Sequence, residues 1–462
     1  MLLDCLKEIV GTEGWIEDPA GQQPFLTEWR GVWTGKTPIV LLPKSTEQVS
    51  GIVKACAGEG VSIVPQGGNT GLCGGAIPDA SGEQIVLSLS RMNRIRSVSP
   101  DDFSMCVEAG CVLADVQQAA SDVGRLFPLS LGAEGSCEIG GNIATNAGGV
   151  NVLKYGTARE QVLGLEVVLA DGSIWNGLRT LRKDTAGYDM KQLFIGSEGT
   201  LGIITAAMLR LYPRPGNVRT AWIGLNSPAE SVRLLSFLRD RLNDQMHAFE
   251  LMPDRALRYV LRHVSGTALP GDSRYAWYVL LEAAMGGSPE SFESVLMDAC
   301  ERRLAADIIV AKNENEAMNL WRLRHSISTA QKPEGESLKH DISVPIEKIG
   351  ELIARCEEAV LQRMPDARIV AFGHVGDGNV HFNVSQPKSM DTAEFVARRE
   401  EIAECVYEVT TSLAGSISAE HGIGVLKRAH LRQFRSPEEL MLMQAVRDAL
   451  DPHHILNPGK VL

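Results

Sequence analysis

Residues 372 to 384 read Phe-Gly-His-Val-Gly-Asp-Gly-Asn-Val-His-Phe-Asn-Val, two short apolar strands around a Gly-Asp-Gly-Asn turn. Side chains alternate faces along a strand, so His381 and Asn383 share one face while Val380, Phe382 and Val384 share the other. His374 stands at the mouth of the turn and can fold back beside His381. Ser418-Ala-Glu-His-Gly later supplies Glu420 and His421. Two imidazoles and a carboxylate can form a divalent-metal site with open positions. A pair of hydrogen-bonded histidines at turns is the competing reading, and this short motif does not decide between them.

Upstream lie two glycine loops, Gln66-Gly-Gly-Asn-Thr-Gly-Leu-Cys-Gly-Gly75 and Gly132-Ala-Glu-Gly-Ser-Cys-Glu-Ile-Gly-Gly-Asn-Ile-Ala-Thr-Asn-Ala-Gly-Gly149. Small residues let main-chain N–H groups approach phosphate oxygens or a ring edge. A single such loop reads as tight packing; two together point to a large phosphorylated cofactor. The first loop follows a strand but leads into another strand, Gln84-Ile-Val-Leu-Ser-Leu, and opens no helix. That weakens a Rossmann reading, which needs strand, glycine turn, then helix. Gly31-Val-Trp-Thr-Gly35-Lys-Thr has three residues between its glycines and fails the P-loop spacing of four.

The chain carries 45 basic and 57 acidic residues, a net charge of −12, which argues against nucleic acid and anionic membranes as partners. Its nine cysteines form no CxxC pair and read as reduced core thiols of a cytoplasmic protein. The start, Met-Leu-Leu-Asp-Cys-Leu-Lys-Glu-Ile-Val, reads as an amphipathic helix rather than a signal peptide, and no apolar run is long enough for a transmembrane helix.

A helix capped by Ser45 buries Val49, Ile52, Val53 and Cys56 and precedes a strand at 61–65. Further strands are expected at 94–98, 104–108 and 203–211, and a helix at 112–123. Pro213-Arg-Pro-Gly216 marks a domain boundary. Beyond it, strand 220–225 leads to a helix with Ser227 as N-cap, Pro228 at N1 and Glu230 completing a capping box. Strand 275–283 leads to Ser288 and Pro289 in the same roles. A third helix starts at Asp391, buries Phe395, Ile402, Val406, Val409 and Leu413, and stops at Gly415. The fold class is α+β, with a ferredoxin-like antiparallel sheet in the second half. Four segments follow: 1–33 as a helical lead-in, 34–213 as the cofactor domain, 214–425 as the substrate- and metal-binding domain, and 426–462 returning to the cofactor domain.

Pro65-Gln-Gly-Gly-Asn-Thr-Gly71, Gly135-Ser-Cys-Glu-Ile-Gly-Gly-Asn-Ile-Ala-Thr-Asn-Ala-Gly-Gly149, Leu163-Gly-Leu-Glu-Val-Val-Leu-Ala-Asp-Gly172 and Phe194-Ile-Gly-Ser-Glu-Gly-Thr-Leu-Gly-Ile-Ile204 resemble the FAD domain of the vanillyl-alcohol-oxidase/PCMH-type flavoproteins. Gly373-His-Val-Gly-Asp-Gly-Asn-Val-His381, Ser418-Ala-Glu-His-Gly422 and Ile455-Leu-Asn-Pro-Gly-Lys460 resemble the D-2-hydroxyacid dehydrogenase branch of that family. The match runs from about residue 35 to the C-terminus. The stretch Leu181–Gly202 and the Gln66 loop resemble the D-2-hydroxyglutarate dehydrogenases within the branch.

The resemblance implies a PCMH-type FAD-binding domain of two α+β subdomains. Gly67, Gly68, Asn69, Thr70 and Gly71 would hold the FAD pyrophosphate, and Gly135, Ser136, Gly140, Asn142, Thr145 and Ile203 would line the flavin. Pro65, Gln66, Gly74, Gly75, Gly132, Gly141, Ala144, Gly148, Glu198, Gly202 and Asn457 complete the expected cofactor set. His374, His381 and Glu420 would ligate zinc or another divalent ion. Arg324, Ser328 and Lys339 would hold substrate carboxylates with Asn383 nearby, and His421 would be the base. Ser328 replaces a threonine and keeps its hydroxyl, while His340, beside Lys339, is shared with several branch members and blurs substrate choice. Asn69 stands where some relatives carry the histidine that binds FAD covalently, so FAD is expected to be non-covalent.

The chemistry is consistent with these assignments. A divalent ion chelating a 2-hydroxyacid lowers the alcohol pKa, a histidine is a base near working pH, and FAD accepts the hydride. A dicarboxylate needs two cationic anchors, and Arg324 and Lys339 supply them. The expected reaction is oxidation of D-2-hydroxyglutarate to 2-oxoglutarate; D-lactate, D-malate or glycolate is the alternative substrate. An electron-transfer flavoprotein or a quinone is the implied acceptor, and oligomeric state stays open, with a homodimer among the options.

Overall fold

The computed structural model describes residues 1–285 and 290–462, so the expected caps at Ser288 and Pro289 lie outside the described residues. The chain forms two units. The first contains residues 1–148, 156–214 and 420–462, and the second contains 149–155 and 215–419.

In the first unit, strands Val40–Leu41, Ile85–Ser88 and Ile63–Gln66 run parallel, with Trp15–Ile16 antiparallel at the edge. Helix Thr46–Glu59 covers them. The Ser45 hydroxyl accepts from Gln48 N at 3.3 Å, and Val49, Ile52, Val53 and Cys56 are buried against Ile63, Ile85 and Leu87. Residues 1–33 share this core: Leu6 and Val10 of helix Leu2–Val10 are buried in it, and Gln48 Nε2 donates to Ile9 O at 2.8 Å. A second sheet of five antiparallel strands runs in the order 95–99, 104–108, 203–210, 162–168, 174–176. Helices Leu113–Asp122 and Ile139–Ala144 pack Val116 and Ile143 onto its Val107, Leu165 and Leu209. The C-terminus returns to the first sheet, where Ile63 N donates to Ile455 O at 2.7 Å and Asn457 N to Ile63 O at 2.8 Å.

The second unit is built on one seven-stranded, wholly antiparallel sheet. Its strands are β1 (Val218–Leu225), β2 (Met246–Pro253), β3 (Trp277–Ala284), β4 (Asp307–Val310), β5 (Ser337–Ser343), β6 (Arg368–His374) and β7 (Asn379–Ser385), in the order β4-β1-β3-β2-β6-β7-β5. With helices α1 (Pro228–Leu242) and α2 (Glu290–Glu301), the first four strands form βαββαβ in the order 4-1-3-2, the ferredoxin-like arrangement, with helix Asp254–His263 inserted between β2 and β3. The next three strands repeat that pattern with helices α4 (Ile349–Arg363) and α5 (Arg399–Ser412), α3 being the intervening Glu314–His325. In place of the repeat's fourth strand there is a single bridge, Ser343 to Ser416. The halves join between β2 and β6, where only Glu250–His374 and Leu251–Gly373 are in register.

Two local expectations change. Glu230 reaches one residue further than a capping box requires, accepting from Asn226 N at 2.8 Å, and the Ser227 hydroxyl makes no capping bond. The helix expected from Asp391 breaks at Arg398 into Thr392–Ala397 and α5. The Asp391 carboxylate caps the first piece through Ala393 N and Glu394 N, and Val409 is only half-buried.

Candidate active-site elements

The two glycine loops of the first unit meet around a cleft of about 910 Å³ that opens to solvent. Of the expected cofactor residues, Pro65, Gln66, Gly67, Gly68, Asn69, Thr70, Gly71, Gly75, Gly140, Gly141, Asn142, Ala144, Thr145, Glu198, Gly202 and Ile203 line it. Gly74, Gly132, Gly135, Ser136, Gly148 and Asn457 do not. The glycines divide by what a Cβ would meet. On Gly68 it would strike Ser136 O at 2.0 Å and on Gly140 the Ala109 Cβ at 2.7 Å, so these two let loops pack. On Gly71 and Gly141 it would meet nothing within 4 Å, so these two keep the cleft open.

Side chains fasten the loops from behind. Gln66 Nε2 donates to Phe25 O at 2.9 Å and Ala76 O at 2.7 Å. Asn69, at φ 51°, donates to Pro24 O and Thr27 O at 3.0 Å each. Asn457 ties Gly75 O to Glu198 O at 2.9 and 2.7 Å, which makes it a clamp behind the cleft. The Glu198 carboxylate is pushed up by burial while accepting from Ile423 N at 2.7 Å and Gly424 N at 2.8 Å. It thereby holds the turn that follows His421, whose side chain also lines the cleft. Glu138, absent from the expected set, lines the cleft too. Its signal in the sequence was an acidic residue inside a run of small ones. An isoalloxazine and a diphosphate both suit such a wall of glycine backbone and amide side chains.

In the second unit, the charged groups lie on one face of the sheet around the β2–β6 junction. Register pairs Lys339 with Asn383, Asp341 with His381, and His381 with Phe372. Glu250, 1% exposed, accepts from His374 Nδ1 at 2.6 Å and from Arg324 Nε at 2.7 Å. Burial opposes ionisation of Glu250, but His374 and Arg324 outweigh it and hold the carboxylate at about 2. His381 Nδ1 lies 3.5 Å from Asp341 Oδ1, and Asn379 Nδ2 fixes that carboxylate at 2.8 Å. The His374 and His381 rings meet edge to face, centroids 5.4 Å apart. Each turns Nδ1 to a carboxylate and keeps Nε2 as its other ring nitrogen. His381 and Asp341 belong to a group of side chains that could hold a divalent ion, and His374 is not in that group. Burial also pushes Asp377, in the turn between the histidines, up to about 6.

Sequence reasoning missed Glu250 and Asp341. The only signal of Glu250 was an acid within a largely apolar strand, and Asp341 stood among the polar residues of Ser-Leu-Lys-His-Asp-Ile-Ser. Arg324, 7% exposed, already spends Nε and Nη2 on Glu250 Oε2, which leaves Nη1 as its outward edge. Ser328 sits one turn further on and is exposed. Asn383 is buried and donates to Gln331 Oε1 at 3.1 Å. His340 points through the sheet to the opposite face, where Nδ1 bonds Phe382 O at 2.9 Å and the ring packs edge-on against Tyr407. It therefore does not share a face with Lys339. The segment after α5 pairs Ser416 with Ser343 and sends Ala419 N to Asp341 O at 3.3 Å. Glu420 is the next residue along the backbone.

Residues 37–177 match the FAD binding domain family, and residues 214–461 match the C-terminal domain of FAD linked oxidases. The chain belongs to the FAD-linked oxidases. Within them it is an FAD-dependent D-2-hydroxyacid dehydrogenase. The D-2-hydroxyglutarate dehydrogenase of Xanthomonas citri pv. viticola is 39% identical over 448 residues, 96% of this chain and 93% of that one. The mitochondrial D-2-hydroxyglutarate dehydrogenase of Arabidopsis thaliana is 38% identical over 462 residues, 99% of this chain and 80% of that one. The solved structure of p-cresol methylhydroxylase with substrate bound superposes with a TM-score of 0.76 at 16% identity, covering 100% of this chain and 96% of that one. That likeness shows the PCMH-type fold. Among the described residues no helix is long and apolar enough to cross a membrane.

Proposed function

We propose that this dehydrogenase oxidises D-2-hydroxyglutarate to 2-oxoglutarate. The observation that carries the reading is the buried Arg324–Glu250–His374 array, which joins a carboxylate-binding cation to a candidate metal ligand through one shared acid. The 39% identity to a D-2-hydroxyglutarate dehydrogenase over nearly the whole chain supports the same substrate.

In this reading His374, His381 and Glu420 would hold zinc or another divalent ion, whose Lewis acidity would lower the pKa of a bound alcohol. FAD, held non-covalently, would supply the hydride acceptor. Arg324 offers Nη1 to a carboxylate while Glu250 locks its other edge. Lys339 takes the distal carboxylate, with Asn383 and Ser328 offering hydrogen bonds. His421 takes the hydroxyl proton, steadied by the turn that Glu198 holds. Electrons leave to an electron-transfer flavoprotein or a quinone. A cytoplasmic location is supported by nine cysteines with no disulfide among them.

A substrate panel with Lys339→Ala tests the assignment. The expected result is a rise in KM for D-2-hydroxyglutarate of roughly tenfold or more, with D-lactate little changed, as for a lost charge-assisted hydrogen bond. Equal losses on both acids would remove the distal-carboxylate role, and faster turnover of D-lactate, D-malate or glycolate by the unaltered enzyme would replace the substrate.

A further inference from the structure

The cofactor cleft contains one acid that the reaction as described does not use. Glu138 stands just before the short helix Ile139–Ala144, and its side chain makes no capping bond. The residue is 6% exposed and lines the cleft, and its Oε2 has no hydrogen-bond partner among the described residues. A Cβ placed on Gly67 would lie 3.5 Å from that oxygen and 3.5 Å from Gly141 N. Oε2 therefore sits in the angle between the two glycine loops. A buried polar atom without a partner is costly and rare in native proteins, and one aimed into a binding cleft calls for a ligand atom that satisfies it.

We propose that Glu138 is a cofactor-binding residue whose protonated carboxyl donates a hydrogen bond from Oε2 to a pyrophosphate oxygen of FAD. The inference rests on this cleft being the FAD site. Protonation is what makes the contact attractive, because a carboxylate in the same place would repel a diphosphate. Burial alone pushes the Glu138 carboxyl up to about 8, so the acid form prevails at neutral pH. Burial pushes the Cys111 thiol up to about 12 and raises that of Cys137. Glu108, Asp115 and Glu134 lie near those thiols but are not among the causes of the Glu138 shift. Glu198, whose carboxyl burial also pushes up, and His421 line the same cleft. The folded acid form binds FAD, so affinity is full below about pH 8 and weakens as pH rises through that value, about tenfold per unit well above it.

The test is titration of deflavinated full-length protein with FAD, followed by flavin fluorescence from pH 6 to 9.5, for the unaltered chain and for Glu138→Gln and Glu138→Leu. The unaltered protein should lose affinity above about pH 8. Glu138→Gln, which keeps a donor without a titratable proton, should bind about as well at pH 7 and show a flat profile through pH 9. Glu138→Leu should bind roughly tenfold or more weakly at pH 7, with circular dichroism confirming that it is folded. Identical pH profiles for the unaltered protein and Glu138→Gln would overturn the role of Glu138 and leave the cofactor site standing. Failure of the unaltered protein to bind FAD at any pH would instead overturn the site.

Discussion

The two units solve the problem of holding a reactant in opposite ways. The cleft of the first is built from backbone: glycines that either pack loops or leave space, fastened by Gln66, Asn69 and Asn457 from behind. The face of the second is built from ionisable side chains locked in pairs, Glu250 with Arg324 and His374, and Asp341 with His381. A backbone site tolerates change in most side chains and fails when a Cβ appears in the wrong place. A charge-built site fails when one partner leaves and the other stays buried. The difference is open to direct test.

The largest expected effect comes from Glu250→Ala, which strands Arg324 and His374. It should cost on the order of 3–5 kcal/mol in urea unfolding; a loss below about 1 kcal/mol would mean the array is not what holds this face together. The same acid sets an acid limit. Its folded pKa of about 2 lies below its ordinary 4.5, so the stability it adds is present above pH 4.5 and lost as pH falls towards 2. That is about 3 kcal/mol at ~1.4 per unit, and Glu250→Gln should flatten this part of the stability–pH curve.

Metal removal comes next. A chelator should abolish turnover and leave FAD bound, and metal analysis should find roughly one divalent ion per chain. Full activity in metal-free protein would end the chelation mechanism and reduce the histidines to hydrogen-bonded structure.

A paired substitution in the backbone-built cleft has a smaller effect. Gly68→Ala, with a Cβ 2.0 Å from Ser136 O, should destabilise the flavin-free protein by about 1–3 kcal/mol. Gly141→Ala, facing open space, should leave that stability within ~0.5 kcal/mol and weaken FAD alone. Similar losses of stability in both would erase the division between packing and cleft glycines. Thiol labelling has the least effect. At pH 8 only the exposed Cys5 and Cys300 should react quickly, since burial holds Cys56, Cys111 and Cys356 at about 12. Rapid labelling of further thiols would show that the cores open.

The same contrast explains what the sequence makes legible. Glycines advertise themselves, so the cleft, the rejected Rossmann turn and most of its lining residues follow from Gln66–Gly75 and Gly135–Gly149. The shared face of His381 and Asn383 follows from strand alternation, and the approach of His374 to His381 from the turn between them. Glu250 and Asp341 do not, because an acid in a strand acquires meaning only when a partner distant in sequence packs on it, as Arg324 and His374 do on Glu250 and as His381 and Asn379 do on Asp341. Alternation sends His340 to the face opposite Lys339, where its ring packs on Tyr407. The repeat in the second unit was invisible as well, since its fourth strand survives only as the Ser343–Ser416 bridge.

The seam between the two halves of the large sheet has a consequence of its own. Seven strands are joined there by only two residue pairs, and one of them is Glu250 with His374. The sheet is in effect two folded pages glued along a narrow spine, and the glue is a proton-sharing acid and imidazole. The proposed role of His374 and the mechanical continuity of the whole unit therefore reside in one contact, so loosening the imidazole should be felt as a tear along the spine.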